Sequence, residues 1–546
     1  MYLDECRTQR HGKTYSRILL RTSFRQDGKV KHKTIANLSR CSPQEIDAIR
    51  WALQHQSDLP SLAALASLPV TTQQGLSVGA IFVLQEMARK IGIVQALGCS
   101  PQARLALWLI LARLLDQGSR LSAVRLAGQH AACDLLGMDA FNEDDLYGTL
   151  DWLADQQALL EKRLFRSPAG ERPVQLFLYD VTSSYLEGRQ NELAAYGYNR
   201  DGKRGKKQIV IGLLTDEAGD PVSVQVYEGN TADNQTFLEQ VQKVQDRFGI
   251  HGVTLVGDRG MIKSAQIKQL PEAFHYLTAL TKPQIQTLLK SGVLQMELFD
   301  EEVCEVEEAG IRYVLRRNPR RVEEIERHRA EKQQTVQRLV DRQNEYLQAT
   351  PRARVMCALN QVNRKIQRLK MERWLAGEAN GRTLALRVDE EARCEMARLD
   401  GCYVLKTDTP PTTAGAQVIH DRYKDLAQVE TAFRTMKTGY LETRPIYLRN
   451  GKRTRGHVFV VMLAYKIIRV LRAAWKSLDL TVEEGVQELA SICATRVKVG
   501  DLEYQTVPEP RPLGRSLLHA LGLTLPDVVP SRGIDVATRK KLTPRK

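Results

Sequence analysis

Hydrophobic and polar positions change their period several times along the chain. Between residues 13 and 40, YSRILLRTSF and KVKHKTIANL read as strands on either side of Asp27-Gly28, a dipeptide suited to the positive backbone angles of a tight hairpin. Ser42-Pro43-Gln44-Glu45 is a capping box with proline at the first helical position, so a helix starts there and runs through Trp51 and Leu53. Residues 75 to 165 carry apolar positions at helical spacing. One helix opens at Ser100-Pro101 and holds RLALWLILARLLD; another is LYGTLDWLADQQALLEKRLF. From Val174 the period shortens. VQLFLYD, QIVIGLL, VSVQVYE, VTLVGD and FHYLTAL are short β-rich runs, separated by turns and by helical stretches such as Asp233 to Arg247. That order predicts a mixed α/β sheet whose first three strands form an antiparallel meander and whose later strands join through helical crossovers.

Residues 285 to 399 break this rhythm. VLQMELF and EEVCEVEEAGIRYVL look strand-like, and a long polar helix follows from about Arg321 to Tyr346. CYVLK at 402 is one more strand, residues 416 to 438 read as one long helix, and Val458 to Ala474 as an apolar one. The predicted domains are a basic β-hairpin unit with a capped helix (1–60), a helical and potentially DNA-end-binding domain (75–165), an α/β core (170–284 and 400–475) and a basic insertion (285–399). Residues 476–546 complete them as a C-terminal helical region with a flexible tail ending RKKLTPRK.

Composition narrows the class. Of 546 residues, 43% are hydrophobic and 26% charged, the balance of a globular protein rather than a disordered one. The apolar runs at 105–112 and 458–465 are cut by Arg113 and Lys466, far short of the roughly 20 residues of a membrane span, and no signal-peptide pattern opens the chain. A cytoplasmic protein is expected. Nine scattered cysteines form no C-x-x-C pair, which argues against a zinc module and a disulfide scaffold. The net charge of +15 favours a polyanionic partner. Between Arg312 and Arg373 there are 17 Lys and Arg against 7 Asp and Glu, so the insertion is the segment best suited to a DNA backbone.

Candidate chemistry lies at strand ends. Asp180 follows VQLFLY and Asp258 follows VTLVG, and two carboxylates on one sheet repel unless a proton or a divalent cation relieves them. Oxygen ligands favour Mg²⁺ or Mn²⁺. Far downstream, Tyr423, Glu430 and Lys437 are spaced by seven, so a continuous helix would present them on one face. Basic clusters flank these positions: Arg200, Lys203, Arg204, Lys206 and Lys207 in a predicted hairpin, and Arg444, Arg449, Lys452, Arg453 and Arg455 in a predicted loop. Gly197 to Lys203 has the spacing of a phosphate-binding loop, but Arg204 stands where Ser or Thr must be and a strand follows, which excludes that reading. His457, Trp108 and Trp152 are expected to be structural.

These residues resemble the DDE transposases of bacterial insertion sequences, in the superfamily numbered four. The helix motif of that family is tyrosine, two residues, arginine, three residues, glutamate, six residues, lysine. Tyr423, Glu430 and Lys437 fit it, whereas the arginine position is Leu426, with Arg434 and Arg422 near enough in sequence to supply the charge. DVTSSYLEG at 180, Gly229 to Asp233, DRGM at 258 and RPIYLRNGKRTRGHVFVVMLAY at 444 match the branch with a long catalytic region. The resemblance implies an RNase H-like catalytic core with an insertion before the glutamate. It implies two divalent ions on Asp180, Asp258 and Glu430, with Asp180 bridging both, and Tyr423 and Lys437 gripping phosphates. It also implies cleavage at terminal inverted repeats, strand transfer into target DNA, and a homodimer in a synaptic complex within the bacterial nucleoid. Two alternatives stay open on sequence alone: a nuclease of the same fold that cuts without joining, and a non-catalytic DNA-binding descendant.

Overall fold

The structure is a computed structural model that describes residues 1–10, 13–56, 70–166, 174–188, 190–300, 302–499, 502–534 and 536. The chain divides into two compact units: residues 1–76 with 493–509 and 526–529, and residues 77–492 with 510–525 and 530–546. Among the described residues no helix is long and apolar enough to cross a membrane.

In the first unit β1 (Tyr2–Arg10), β2 (Lys13–Gln26) and β3 (Lys29–Asn37) form an antiparallel sheet. Asp27 and Gly28 take φ of 50° and 72° at the β2–β3 turn, as that dipeptide predicts. Strand β1 is an addition, since YLDECRTQR has few large apolar residues to signal it. Helix α1 (Pro43–Gln54) has the expected capping box: Glu45 N–H donates to Ser42 Oγ at 3.3 Å and Ser42 N–H to Glu45 Oε2 at 2.6 Å. Strand β4 (Val70–Ser77) ends the segment.

The second unit opens with α2 (Gly79–Lys90), α3 (Ile93–Leu97), α4 (Pro101–Leu115), α5 (Arg120–Ala127), α6 (Ala132–Leu136) and α7 (Glu143–Phe165). Ser100 caps α4, and Trp108 is fully buried with its indole N–H donating to the Ala123 carbonyl at 3.2 Å. The sheet follows: β5 (Leu176–Tyr185), β6 (Gln208–Asp216), β7 (Pro221–Glu228), α8 (Asp233–Phe248), β8 (Thr254–Gly257), α9 (Ser264–Ile267) and β9 (His275–Ala279). Strands β5, β6 and β7 are antiparallel neighbours, while β8 and β9 join parallel to β5 in turn. This is the predicted meander with crossovers. Phe237, Val241 and Val244 of α8 pack on Phe177, Tyr179 and Val210 of the sheet.

Beyond β9 come α10 (Lys282–Lys290), β10 (Cys304–Glu308), β11 (Ile311–Arg317), α11 (Pro319–Ala349), α12 (Val355–Arg368), β12 (Leu375–Asn380), β13 (Thr383–Val388), α13 (Glu390–Ala397) and β14 (Cys402–Thr407). VLQMELF is not a strand: it holds a 3₁₀ turn at Met296–Leu298, and Leu294 joins Ile285, Tyr313 and Leu315 in a small core. Strand β10 pairs with β11 and β11 with β14, so the sheet among the described residues has eight strands in the order β10-β11-β14-β9-β8-β5-β6-β7 and reaches into the segment read as an insertion. Arg312, counted above in the basic excess, is 2% exposed and bonded to Glu305 and to the Thr409 and Ala414 carbonyls. Helices α11 and α12 with the β12–β13 hairpin enclose a separate core around Val340, Val362 and Trp374.

Last in this unit are α14 (Ala416–Lys424), α15 (Leu426–Lys437), α16 (Gly451–Ala474) and α17 (Val482–Ala490). The long helix expected at 416–438 is broken at Asp425. Helix α16 packs against α4, α7 and β7, and α15 against β5. His457, on α16, is buried beside Arg120 at 3.4 Å, and burial holds its pKa well below the usual histidine range, which makes it a structural residue. Residues 493–506, expected to be helical, instead return to the first unit as β15 (Cys493–Val499) and β16 (Leu502–Thr506), a hairpin that pairs with β4 within that unit; the alternation in CATRVKV accounts for it. Helix α18 (Pro512–Leu521) follows, and the tail RKKLTPRK lies outside the described residues.

Two loops above the sheet are locked by glycines. A Cβ on Gly229 would lie 1.9 Å from the Gln208 carbonyl oxygen and 2.6 Å from that of Ala195, and one on Gly197 would lie 2.1 Å from the Gly229 oxygen. All three obstacles are backbone atoms that cannot swing aside. Gly229→Ala is therefore expected to lower stability by about 3 kcal/mol, read by urea unfolding; a change within about 0.5 kcal/mol would contradict this close approach.

Candidate active site

The parallel pairing of β5 with β8 ends at Tyr179 opposite Gly257, which leaves Asp180 and Asp258 as the next residues on adjacent strands. Asp180 does not end its strand. It sits midway along β5, which continues to Tyr185 against β6, because Thr182, Ser183 and Ser184 are buried rather than looped. Each aspartate accepts the N–H of the residue after it at 2.7 Å, Val181 for Asp180 and Arg259 for Asp258. Glu430 lies on α15, which packs over β5. All three carboxylates line one cavity of about 450 Å³.

Asp180 is half-buried, whereas Asp258 and Glu430 are exposed. Burial, then the neighbouring Asp258 and Glu430 charges, push the Asp180 carboxyl up to about 7, against the weaker downward pull of the Val181 N–H and Arg200. Among the described residues no three His, Cys, Asp or Glu side chains form a closed metal-ligand group. The three carboxylates border a common space without converging on one point.

Four cations line the same cavity: Arg200, Arg434, Lys437 and Arg444. Lys437 donates to Thr182 Oγ1 at 2.9 Å and to Asp201 Oδ1 at 2.6 Å, Arg444 pairs with the same Asp201 oxygen, and Arg200 pairs with Asp233. Burial lowers the Lys437 pKa, with Asp201 opposing it. Arg434 is exposed and makes no side-chain hydrogen bond or ion pair among the described residues. It lines this cavity, whereas Leu426 does not. Arg422 instead donates to Gln175 at 3.1 Å.

A second cavity, of about 400 Å³, opens on the other side of the carboxylates. Asp180, Asp258 and Glu430 line it too, with Tyr403, His420, Tyr423 and Leu426. The break at Asp425 and the length of α15 thus separate the three motif positions: Lys437 serves the first cavity and Tyr423 the second. Burial raises the Tyr423 pKa, and the neighbouring Asp258 charge raises it further.

The remaining basic residues named from sequence stand outside both cavities. Lys203 lies over the Tyr185 ring and Lys207 over Tyr196, Lys206 pairs with Glu187 at 2.9 Å, and Arg204 and Arg449 are exposed. Lys452 and Arg453 are not in a loop but on the first turn of α16, paired with Asp155 and Asp151 of α7. Asp201, Asp233 and Thr182 were missed. The only signal for them was their place in motifs, the hairpin at 197–207, Gly229 to Asp233, and DVTSSY.

Comparison with known proteins follows the same lines. Residues 173–467, more than half of the chain, match the family described as Transposase DDE domain, and residues 5–61 match the IS1634 family transposase N-terminal domain. The chain belongs to the DDE transposases, enzymes that cleave DNA and transfer strands, and its N-terminal segment is similar to that of IS1634 family transposases. A cryo-EM structure of a piggyBac transposase synaptic complex with hairpin DNA is similar at 9% identity and a TM-score of 0.36, over 71% of this chain and 70% of that one. No curated protein matches the chain.

The raised Asp180 pKa has a consequence for stability. The folded state favours the protonated acid, so the linked stability is full below the usual aspartate range and is lost as pH rises through about 7. Asp180→Asn removes that loss. Without divalent ions, the melting temperature of the variant is expected to gain on that of the unsubstituted protein by roughly 2 °C or more between pH 4 and pH 8; a gap that stays constant or narrows would contradict the assignment.

Proposed function

We propose that Asp180, Asp258 and Glu430 are the catalytic carboxylates of this transposase, that they hold two Mg²⁺ or Mn²⁺ ions, and that the core is RNase H-like. The order β7-β6-β5-β8-β9, an antiparallel meander followed by two parallel strands, supports that fold reading. The single observation that carries the site is the cavity in which three carboxylates, on β5, just after β8 and on α15, meet four cations. Its donor set fits hard divalent ions: only carboxylate oxygens, one of them on a half-buried acid that resists ionisation until positive charge arrives. When bound, such ions polarise the scissile phosphate and acidify the attacking water or 3′-hydroxyl.

The protein groups do the rest. Asp180, central on β5 and next to both partners, fixes the spacing of the site. Arg434 and Lys437, one turn apart on α15, bind the phosphodiester flanking the cleaved bond, with Arg444 beside them. Tyr423 orients Asp258 from the far side of the carboxylates. The substrates are double-stranded element ends and target DNA, and pairing two ends makes a homodimer the working assembly. Lys203, Arg204, Lys206, Lys207 and Arg449 then serve as phosphate contacts beyond the cavities, and the basic insertion as a further DNA surface.

The test uses a labelled donor end, a target plasmid and Mg²⁺. Asp180→Asn, Asp258→Asn and Glu430→Gln are each expected to reduce cleavage and joining by about 10³-fold or more while binding of the end by gel shift persists. Cleavage products without joined products would favour a nuclease, and activity unchanged in Asp180→Asn would overturn the site.

A further inference from the structure

Asp201 lines the cavity with a side chain only 1% accessible. Its Oδ1 accepts from Lys437 Nζ and from Arg444, and its Oδ2 from the Tyr185 N–H at 3.2 Å. Both oxygens are thus committed, which sets Asp201 apart from the three open carboxylates. Its loop is held from several sides. Arg200 N–H donates to Ser183 Oγ at 3.1 Å, Asp201 N–H to Asn199 Oδ1 at 2.9 Å, and Gln208 Nε2 to the Tyr198 and Gly229 carbonyls. On the other side, Ile446 N–H donates to the Tyr185 carbonyl at 3.0 Å, which fixes the segment that carries Arg444.

One anion between two cations leaves a net positive charge facing the triad. Lys437 and Arg444 would repel each other if Asp201 were neutral, and their long side chains would spread over several rotamers. Held by one carboxylate oxygen, they present a fixed pair of donors at the cavity wall.

We propose that Asp201 is a positioning residue for strand engagement: it holds Lys437 and Arg444 as a preformed two-cation clamp for the DNA phosphodiester adjacent to the one that reacts. This rests on the catalytic reading of Asp180, Asp258 and Glu430. The clamp limits affinity in exchange for geometry, because the anion that orders the two cations also competes with phosphate for them. Removing it frees positive charge for loose phosphate binding and loses the alignment that turnover needs.

The experiment compares the full-length protein with Asp201→Asn on a labelled donor end, in gel shifts across a salt series and in single-turnover cleavage with Mg²⁺. Asp201→Asn is expected to bind the end about threefold tighter or more, with a salt slope steeper by roughly one, and to cleave at least about tenfold more slowly at saturating DNA. A purely structural role would weaken binding and cleavage in parallel, and that result, or wild-type cleavage at saturation, overturns the proposal. If Asp201→Asn melts below the assay temperature, Arg444→Gln carries the test: cleavage at saturation must fall at least about tenfold, and an unchanged rate overturns the clamp. Absence of cleavage by the unsubstituted protein would count against the carboxylate reading itself, and against the clamp with it.

Discussion

The parallel pairing of β5 with β8 stops at Tyr179 and Gly257, and the rest of the site depends on where it stops. One residue further, two aspartates that are 78 positions apart in sequence stand side by side at the middle of an eight-stranded sheet. Because successive residues of a strand alternate faces, a slip of one position between β5 and β8 would put the two carboxylates on opposite faces. The buried runs LFLY and TLVG hold the register, with Phe177 and Tyr179 against α8 on one side. Glu430 reaches the same place after 172 more residues because α15 lies over β5.

Charge is the second constraint. Three carboxylates share a cavity, and the half-buried one bears the cost as a pKa pushed up to about 7. The surrounding cations relieve it only in part: Arg200 pulls it down, but Arg200 is paired with Asp233, and Lys437 and Arg444 are engaged by Asp201. The arrangement keeps opposite charges close but separately satisfied: an anionic centre suited to metal, and a cationic wall suited to phosphate. Holding like charges together in this way costs folded stability.

Much of this was legible in the sequence for a physical reason. Asp180 and Asp258 interrupt buried apolar runs, and a helix carrying Tyr423, Glu430 and Lys437 at heptad spacing is poor core material, so each stands out locally. The meander and crossovers follow from the alternation of β-rich runs with the helical stretch 233–247. What the sequence hid is long-range or polar. Asp201 lies in a hydrophilic turn, and its partners are 236 and 243 residues away. Ser183 and Ser184 look like a loop yet are buried in β5, which made Asp180 look like a strand end. The pause at Asp425 leaves the helical spacing intact, so the split of Tyr423 from Lys437 between two cavities was invisible. Lys452 and Arg453 follow a glycine and read as loop residues, but Asn450 caps a helix there, accepting the Arg453 N–H at 3.1 Å.

The central claim is that these carboxylates form one divalent-ion site. Titrating Mn²⁺ into the protein bound to its element end, with bound ions counted by electron paramagnetic resonance, tests this most directly. The account predicts two ions per catalytic unit, with at least one lost in Asp180→Asn and in Glu430→Gln. Binding that is absent, or indifferent to both substitutions, would contradict it.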